Sequence, residues 1–127
     1  MTAATDMSLP SAYGIRALRN RLLARRTLLV RERDARVRAM REAPPAGPGD
    51  DAAGLTGQHD LDLTEAERDE REIEAIDAAL TRMDSGTYGM CSSCGEPIGH
   101  ERLAANPHAL RCLACEAAAE RAGHGAP

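Results

Sequence analysis

The sequence predicts a mainly α protein: an antiparallel coiled-coil helical hairpin attached to a small four-cysteine module with a short C-terminal helix. Three observations support this fold class. Two helix-forming segments without internal proline flank a stretch rich in Pro and Gly, the first segment is basic and the second acidic, and all four cysteines lie between residues 91 and 115. A chain of 127 residues has room for one small domain and one extended element.

The composition predicts a thin hydrophobic core. Hydrophobic residues make up 43% of the chain, but it has two Tyr, no Phe and no Trp. Aromatic side chains supply the largest single burials in ordinary cores, so a small module without them needs an additional cross-link. The four cysteines are the candidates for that cross-link.

The first predicted helix spans residues 11–42, after a flexible N-terminus at 1–10. One Gly and no Pro interrupt it, and its apolar residues follow a narrow, roughly heptad pattern that includes Leu22, Leu29 and Val37. Such a helix is about 45 Å long. Ten of the 16 basic residues of the chain, all of them Arg, fall between Arg16 and Arg41.

A tip loop at 43–63 and a second helix at 64–84 complete the predicted hairpin, which spans 11–84. Thr64 and Glu67 fit a capping box at the start of this helix, which is strongly acidic. Opposite charge favours antiparallel pairing of the two helices within one chain, although each exposed ion pair contributes only about 0–1 kcal/mol. Two helices of a small bundle, or association of two chains through one seam, are the alternatives.

The cysteines predict a structural metal site. Cys91 and Cys94 form one Cys-x2-Cys pair, Cys112 and Cys115 form another, and 17 residues separate the pairs. This spacing is typical of a site in which four thiolates surround one Zn²⁺ ion, and such a closed site has no open position for catalysis. We therefore predict one structural zinc in a module at 85–122, followed by a flexible tail at 123–127.

Other uses of the cysteines remain open as alternatives. Iron fits the same four sulfurs, and a redox centre or a zinc site that releases its metal on oxidation is a third interpretation. His100 and His108 lie between the pairs, where we expect them to be surface residues rather than ligands. The sequence contains no phosphate loop, nucleophile elbow or His-Glu-x-x-His motif, so we predict that the protein is not an enzyme.

The cysteine-rich segment resembles the DksA/TraR family of bacterial RNA polymerase regulators. The similarity covers about 28 residues and includes Tyr88, Gly89, Cys91, Cys94, Gly95, Ile98, Arg102, Leu103, Ala105, Pro107, Ala109, Cys112 and Cys115. The resemblance implies a zinc module that carries a coiled-coil hairpin, with the hairpin tip inside the secondary channel of RNA polymerase. It also implies the alarmone ppGpp as a ligand at the polymerase interface in some members.

The tip of the hairpin departs from the family pattern, which is Asp-x-x-Asp-x-Ala. Counting back from Cys91 places Asp51 and Ala53 on its second Asp and its Ala, but Pro48 on its first Asp. Asp50 is a substitute at a different spacing. The resemblance therefore implies Asp50, Asp51 and Ala53 as partner-binding residues, and a solubilising loop is the alternative interpretation.

Together these features predict a transcription regulator that binds core RNA polymerase and modulates initiation. We expect a cytoplasmic protein, because no apolar run has the length of a signal peptide or of the roughly 20 residues that span a bilayer. We also expect it to be a monomer. The net charge of −4 disfavours direct DNA binding. The alternatives are a zinc-ribbon-like nucleic-acid or protein adaptor that uses the Arg-rich helix at 16–41, and a redox-sensing zinc regulator.

Overall fold

A computed structural model describes residues 12–42 and 52–125. It contains four helices: α1 at Ala12–Glu42, α2 at Ala52–Ser85, α3 at His100–Ala105 and α4 at Leu113–Gly125. The described residues also contain one isolated antiparallel bridge, between Met90 and Pro97. No helix among the described residues is long and apolar enough to cross a membrane. The mainly α fold class is confirmed.

The second long helix begins twelve residues earlier than the sequence predicts. It starts at Ala52, so Thr64 lies inside α2 and its predicted role as N-cap is wrong, as is the loop predicted for 52–63. Residues 52–63 contain two Gly but no Pro. A glycine weakens a helix by about 1 kcal/mol without ending it, whereas the last proline before α2 is at position 48.

The same argument applies at the C-terminus. We expected α4 to stop at Gly123, but the helix continues to Gly125. The short helix α3 was not predicted, because six residues are too few for a periodic pattern. In contrast, α2 ends at Ser85 because Gly86 adopts a left-handed conformation with φ 82°, and the amides of Thr87 and Tyr88 both donate to the carbonyl oxygen of Arg82.

The described residues form two compact units. Unit 2 comprises residues 24–74, and unit 1 comprises 12–23 together with 75–125. The domain boundaries predicted from the sequence, with the hairpin ending at 84 and the module spanning 85–122, stay a prediction.

Unit 2 is a pair of antiparallel helical segments. Its buried apolar residues are Leu29 on α1 and Ala66 and Ile73 on α2. The direction follows from the ion pairs, which join Arg25 to Glu72, Arg33 to Glu70, and Arg36 to Asp69 and Glu65, so that numbers rise on α1 as they fall on α2. The predicted pairing of basic and acidic helices is thus confirmed in this unit.

Unit 1 has a small core around the cysteine-rich segment. Its buried hydrophobic residues are Leu22, Ile76, Ala79, Tyr88, Cys91, Ile98, Leu103 and Ala109. Arg19 on α1 forms an ion pair with Asp84 on α2, at 2.9 Å. Arg21 donates to the carbonyl oxygen of Ala104 in α3, at 2.8 Å. The first turns of α1 therefore contact both the end of α2 and the cysteine-rich segment.

Candidate metal centre

The first cysteine pair lies on a tight turn whose amides point at a sulfur. The backbone N–H groups of Ser93 and Cys94 donate to Sγ of Cys91, at 3.4 and 3.5 Å. The turn closes where the amide of Gly95 donates to the carbonyl oxygen of Cys91, at 3.0 Å. Gly95 has φ 78°, a conformation that an L side chain rarely adopts, so this position favours glycine. The turn therefore presents an anionic Cys91 sulfur to partially positive N–H groups.

The second pair lies at the beginning of α4. Cys112 directly precedes the helix, and its carbonyl oxygen accepts a hydrogen bond from the amide of Glu116, at 2.9 Å. Cys115 belongs to the first turn. The N-terminal end of a helix carries a partial positive charge, which stabilises thiolates there.

A backbone hydrogen bond joins the two pairs: the amide of Ser92 donates to the carbonyl oxygen of Leu110, at 2.8 Å. The four Sγ atoms lie within 4.8 Å of one another, and those of Cys94 and Cys112 are 4.0 Å apart. Four sulfurs bound tetrahedrally to zinc at about 2.3 Å would lie about 3.8 Å apart. The arrangement thus has the dimensions of a four-thiolate zinc site.

The proton affinities of the sulfurs differ within the cluster. Burial raises the pKa of Cys91. Hydrogen bonds from the backbone amides of Cys112, Cys94 and Ser93 lower it by more than burial raises it, so the pKa falls to about 6. The pKa of Cys115 rises to about 12, chiefly because its thiol hydrogen-bonds to the sulfurs of Cys112, Cys91 and Cys94. One thiolate is therefore favoured by the backbone, while additional thiolates need a cation to offset their mutual repulsion.

Two arginines hold the backbone around the site. Arg102 on α3 donates from Nε to the carbonyl oxygen of Arg111, at 2.9 Å, just before the second cysteine pair. Arg82 on α2 donates to the carbonyl oxygens of Thr87 and Met90, just before the first pair. Sequence reasoning assigned neither role, because a contact between an arginine and a distant carbonyl leaves no periodic signal.

Tyr88 joins the segment before the first pair to the loop before the second. Its hydroxyl donates to the carbonyl oxygen of Pro107, at 2.8 Å, and the residue is buried. Replacing Tyr88 by Phe removes this donor and leaves the carbonyl unpaired, so we expect a loss of about 1–2 kcal/mol in the free energy of unfolding. Urea denaturation of the zinc-loaded protein measures this loss, and an unchanged midpoint would contradict it.

The same variant has a distinct pH signature. Burial raises the pKa of Tyr88 to about 12, against a smaller lowering by the positive charge of Arg21. An unfolded tyrosine ionises at about 10. The contribution of neutral Tyr88 is thus fully present below about pH 10 and is lost as the pH rises towards the folded value. We expect Tyr88→Phe to remove that part of the alkaline destabilisation, which urea denaturation between about pH 9 and 12 measures.

A cavity of about 430 Å³ lies beside the site in unit 1. Its polar wall carries both signs of charge: Arg102, Asn106, His108, Arg111, Glu116 and Glu120. Arg111 and Glu116 form an ion pair across 3.0 Å. His108 thus lines this cavity and His100 begins α3, and neither belongs to the sulfur cluster.

The predicted site residues have different outcomes. The structure brings Cys91, Cys94, Cys112 and Cys115 together. Asp50 and Asp51 lie outside the described residues. Ala53 lies in the first turn of α2, where the structure describes the backbone.

Known proteins with similar sequences include a zinc-finger family and two transcription factors. Residues 86–121 match the prokaryotic dksA/traR C4-type zinc finger. The chain is 36% identical over 70 residues to the RNA polymerase-binding transcription factor DksA of Haemophilus influenzae, which covers 55% of this chain and 48% of the relative. It is 38% identical over 71 residues to the protein of the same name from Caulobacter vibrioides strain NA1000, and this match covers 56% of this chain and 50% of the relative. Each match thus spans about half of the relative's length.

A solved structure is similar over nearly the whole chain. The structure of transcription factor DksA2 from Pseudomonas aeruginosa aligns with a TM-score of 0.72 and 29% sequence identity, covering 93% of this chain and 95% of that one. Similarity therefore extends from the zinc finger to the two long helices.

The fold and the cysteine site together define a mainly helical protein with a C4-type zinc finger, a class in which the four clustered cysteines form a site for one structural zinc ion. The resemblance to the DksA/TraR family seen in the sequence is confirmed, because residues 86–121 match the C4-type zinc finger of that family.

Proposed function

We propose that this protein is a non-enzymatic transcription regulator that binds core RNA polymerase, places its hairpin tip in the secondary channel and modulates initiation. The observation that carries this proposal is the similarity to transcription factor DksA2 over 93% of the chain. Relatives named RNA polymerase-binding transcription factor DksA, matched over about half their length, support the same partner.

The metal ligands in this proposal are Cys91, Cys94, Cys112 and Cys115. The ion would fix the two pairs and hold the ends of α2 and α4 in place, while the thiolates leave no open coordination position. Asp50, Asp51 and Ala53 would contact the polymerase at the tip. The protein would act as a monomer in the cytoplasm, where its partner is, and ppGpp at the polymerase interface stays a prediction from the family.

The alternative of direct DNA binding through the Arg-rich helix receives less support. Arg25, Arg33 and Arg36 are paired with carboxylates of α2, so part of the positive charge on residues 16–41 is already neutralised. Binding to a phosphate backbone depends on such charges being available. The redox-sensing alternative stays a prediction, whose test is zinc release under mild oxidant.

The test compares three zinc-loaded proteins in binding to core RNA polymerase and in transcription in vitro. They are the wild type, Asp50→Ala/Asp51→Ala, and Glu67→Ala/Glu74→Ala. The last variant removes the same charge from exposed positions of α2. We expect all three to bind and the tip variant alone to lose its effect on transcription.

Two results would contradict the proposal. If the wild type does not bind the polymerase, the partner is wrong and an adaptor function becomes the better hypothesis. If the tip variant and the control affect transcription equally, the assignment of Asp50 and Asp51 is wrong, although binding would still hold.

A further inference from the structure

Six of the seven arginines of α1 in unit 2 fall into two groups that differ in their contacts. Arg25, Arg33 and Arg36 form ion pairs with acidic residues of α2. In contrast, the exposed side chains of Arg31, Arg38 and Arg41 form no ion pair or hydrogen bond with any described residue. Three of the seven arginines of α1 in unit 2 therefore form no contact of this kind with α2 among the described residues.

Helix geometry places Arg31, Arg38 and Arg41 on one side of α1. Arg31 and Arg38 are seven residues apart and Arg41 follows three later, so they lie within an arc of about 80° over about 15 Å of helix. The buried Leu29 lies on the opposite side, which faces α2 within unit 2. The three guanidinium groups form a positive stripe that points away from the helix pair.

The acids around the stripe determine which partner it fits. Asp34 lies within the same arc, but its carboxylate is bound to Arg33 at 3.1 Å. Glu42 follows at the end of α1, and the chain as a whole has a net charge of −4. A nucleic acid presents an uninterrupted row of phosphates, which these carboxylates would repel. A protein surface that exposes carboxylates at separate points matches isolated arginines without this repulsion.

The outer side of α2 offers a contrast. Arg68 and Arg71 are also exposed and form no ion pair or hydrogen bond among the described residues. The exposed Glu67 precedes them and the exposed Glu74 follows them along the helix, so these four residues have no excess of either charge. Exposed arginines thus occur on both long helices, but only those on α1 form a local excess of positive charge.

We propose that Arg31, Arg38 and Arg41 form a docking surface for a carboxylate-bearing surface of RNA polymerase. This inference rests on the proposed function and adds the side of α1 that makes the contact. A guanidinium binds a carboxylate through two parallel hydrogen bonds. Arg25 already makes this contact with Glu72, from Nε at 2.8 Å and from the second nitrogen at 3.1 Å.

The test measures affinity for core RNA polymerase at low and moderate salt with the full zinc-loaded chain. Arg38→Ala/Arg41→Ala is compared with Arg68→Ala/Arg71→Ala, which removes the same charge from α2. We expect the α1 variant to bind about tenfold more weakly and with less salt dependence, and the α2 variant to bind within about twofold of wild type. Arg38→Lys/Arg41→Lys should recover part of the affinity, because it restores charge without the planar fork.

Several results would overturn this inference. Equal affinities of the α1 and α2 variants for a polymerase that binds the wild type would exclude the surface and leave the proposed function intact. A wild type that does not bind would overturn both. An α1 variant that loses affinity for duplex DNA but not for polymerase would assign the stripe to nucleic acid instead. All substituted side chains are exposed, so unchanged thermal melts are expected and provide the control for folding.

Discussion

Removing the zinc ion is expected to unfold the cysteine-rich part of unit 1. In small zinc modules, metal binding supplies an apparent ~10–16 kcal/mol, and this free energy is the free energy of folding. Here the buried residues between positions 86 and 123 are Tyr88, Cys91, Ile98, Leu103 and Ala109, together with Gly89 and Gly99. So small a core does not offset the conformational entropy of some 40 ordered residues.

Two perturbations test this expectation. A high-affinity chelator should abolish the amide signals of α3 and α4 in NMR spectra, and Cys112→Ser should lower the zinc content and produce the same spectrum. Unit 2 provides an internal control, because its helices are paired through Leu29, Ala66 and Ile73 without a metal. Ser93→Ala is the matched variant: it changes an exposed side chain in the first turn and keeps the amide that donates to Cys91. A cooperative melt that does not move in chelator would contradict a structural zinc.

The metal site could be predicted from the sequence because its requirements are local. Two residues between cysteines are enough for one turn to aim both sulfurs at one ion, and Gly95 supplies the backbone conformation that such a turn needs. The support around the site was less accessible. Arg82 and Arg102 bind carbonyl oxygens that lie up to nine residues away along the chain, and these contacts form only after the chain has folded.

The helix pair shows a similar division. The opposite charges of the two segments predicted ion pairs that the structure contains, because charge sorting along the sequence survives folding. The predicted start of α2 was wrong because Gly54 and Gly57 weaken a helix without ending it, whereas a proline would end it. The unfavourable helix propensity of these two glycines is outweighed because each residue added to a growing helix contributes a backbone hydrogen bond.

The composition predicted a thin core, and the structure shows where its largest contributions lie. Four large side chains are fully buried: Leu22, Leu29, Ile76 and Leu103. Because the chain has no Phe or Trp, these aliphatic side chains supply the large apolar burials that aromatic residues supply in ordinary cores. A single truncation among them should therefore remove a large fraction of the stability, which is typically about 5–15 kcal/mol for a whole domain.

Replacing Ile76 by Ala is expected to lower the free energy of unfolding by about 2–5 kcal/mol. Ile76 has 0% exposure in unit 1, so its three removed carbons leave a cavity that neighbouring residues fill incompletely. The higher helix propensity of Ala opposes this loss by only about 0.4 kcal/mol. The measurement is the urea midpoint of the zinc-loaded protein, with an unchanged slope showing that stability rather than compactness has changed.

Leu63→Ala is the matched control for this prediction. It also removes three carbons from α2, but Leu63 is 50% exposed, so we expect a change of at most about 0.5 kcal/mol. Similar losses in the two variants would mean that burial at position 76 contributes nothing beyond the general effect of shortening a side chain on this helix. A large loss at position 76 alone would show that the small aliphatic core, and not the metal site by itself, holds α2 in unit 1.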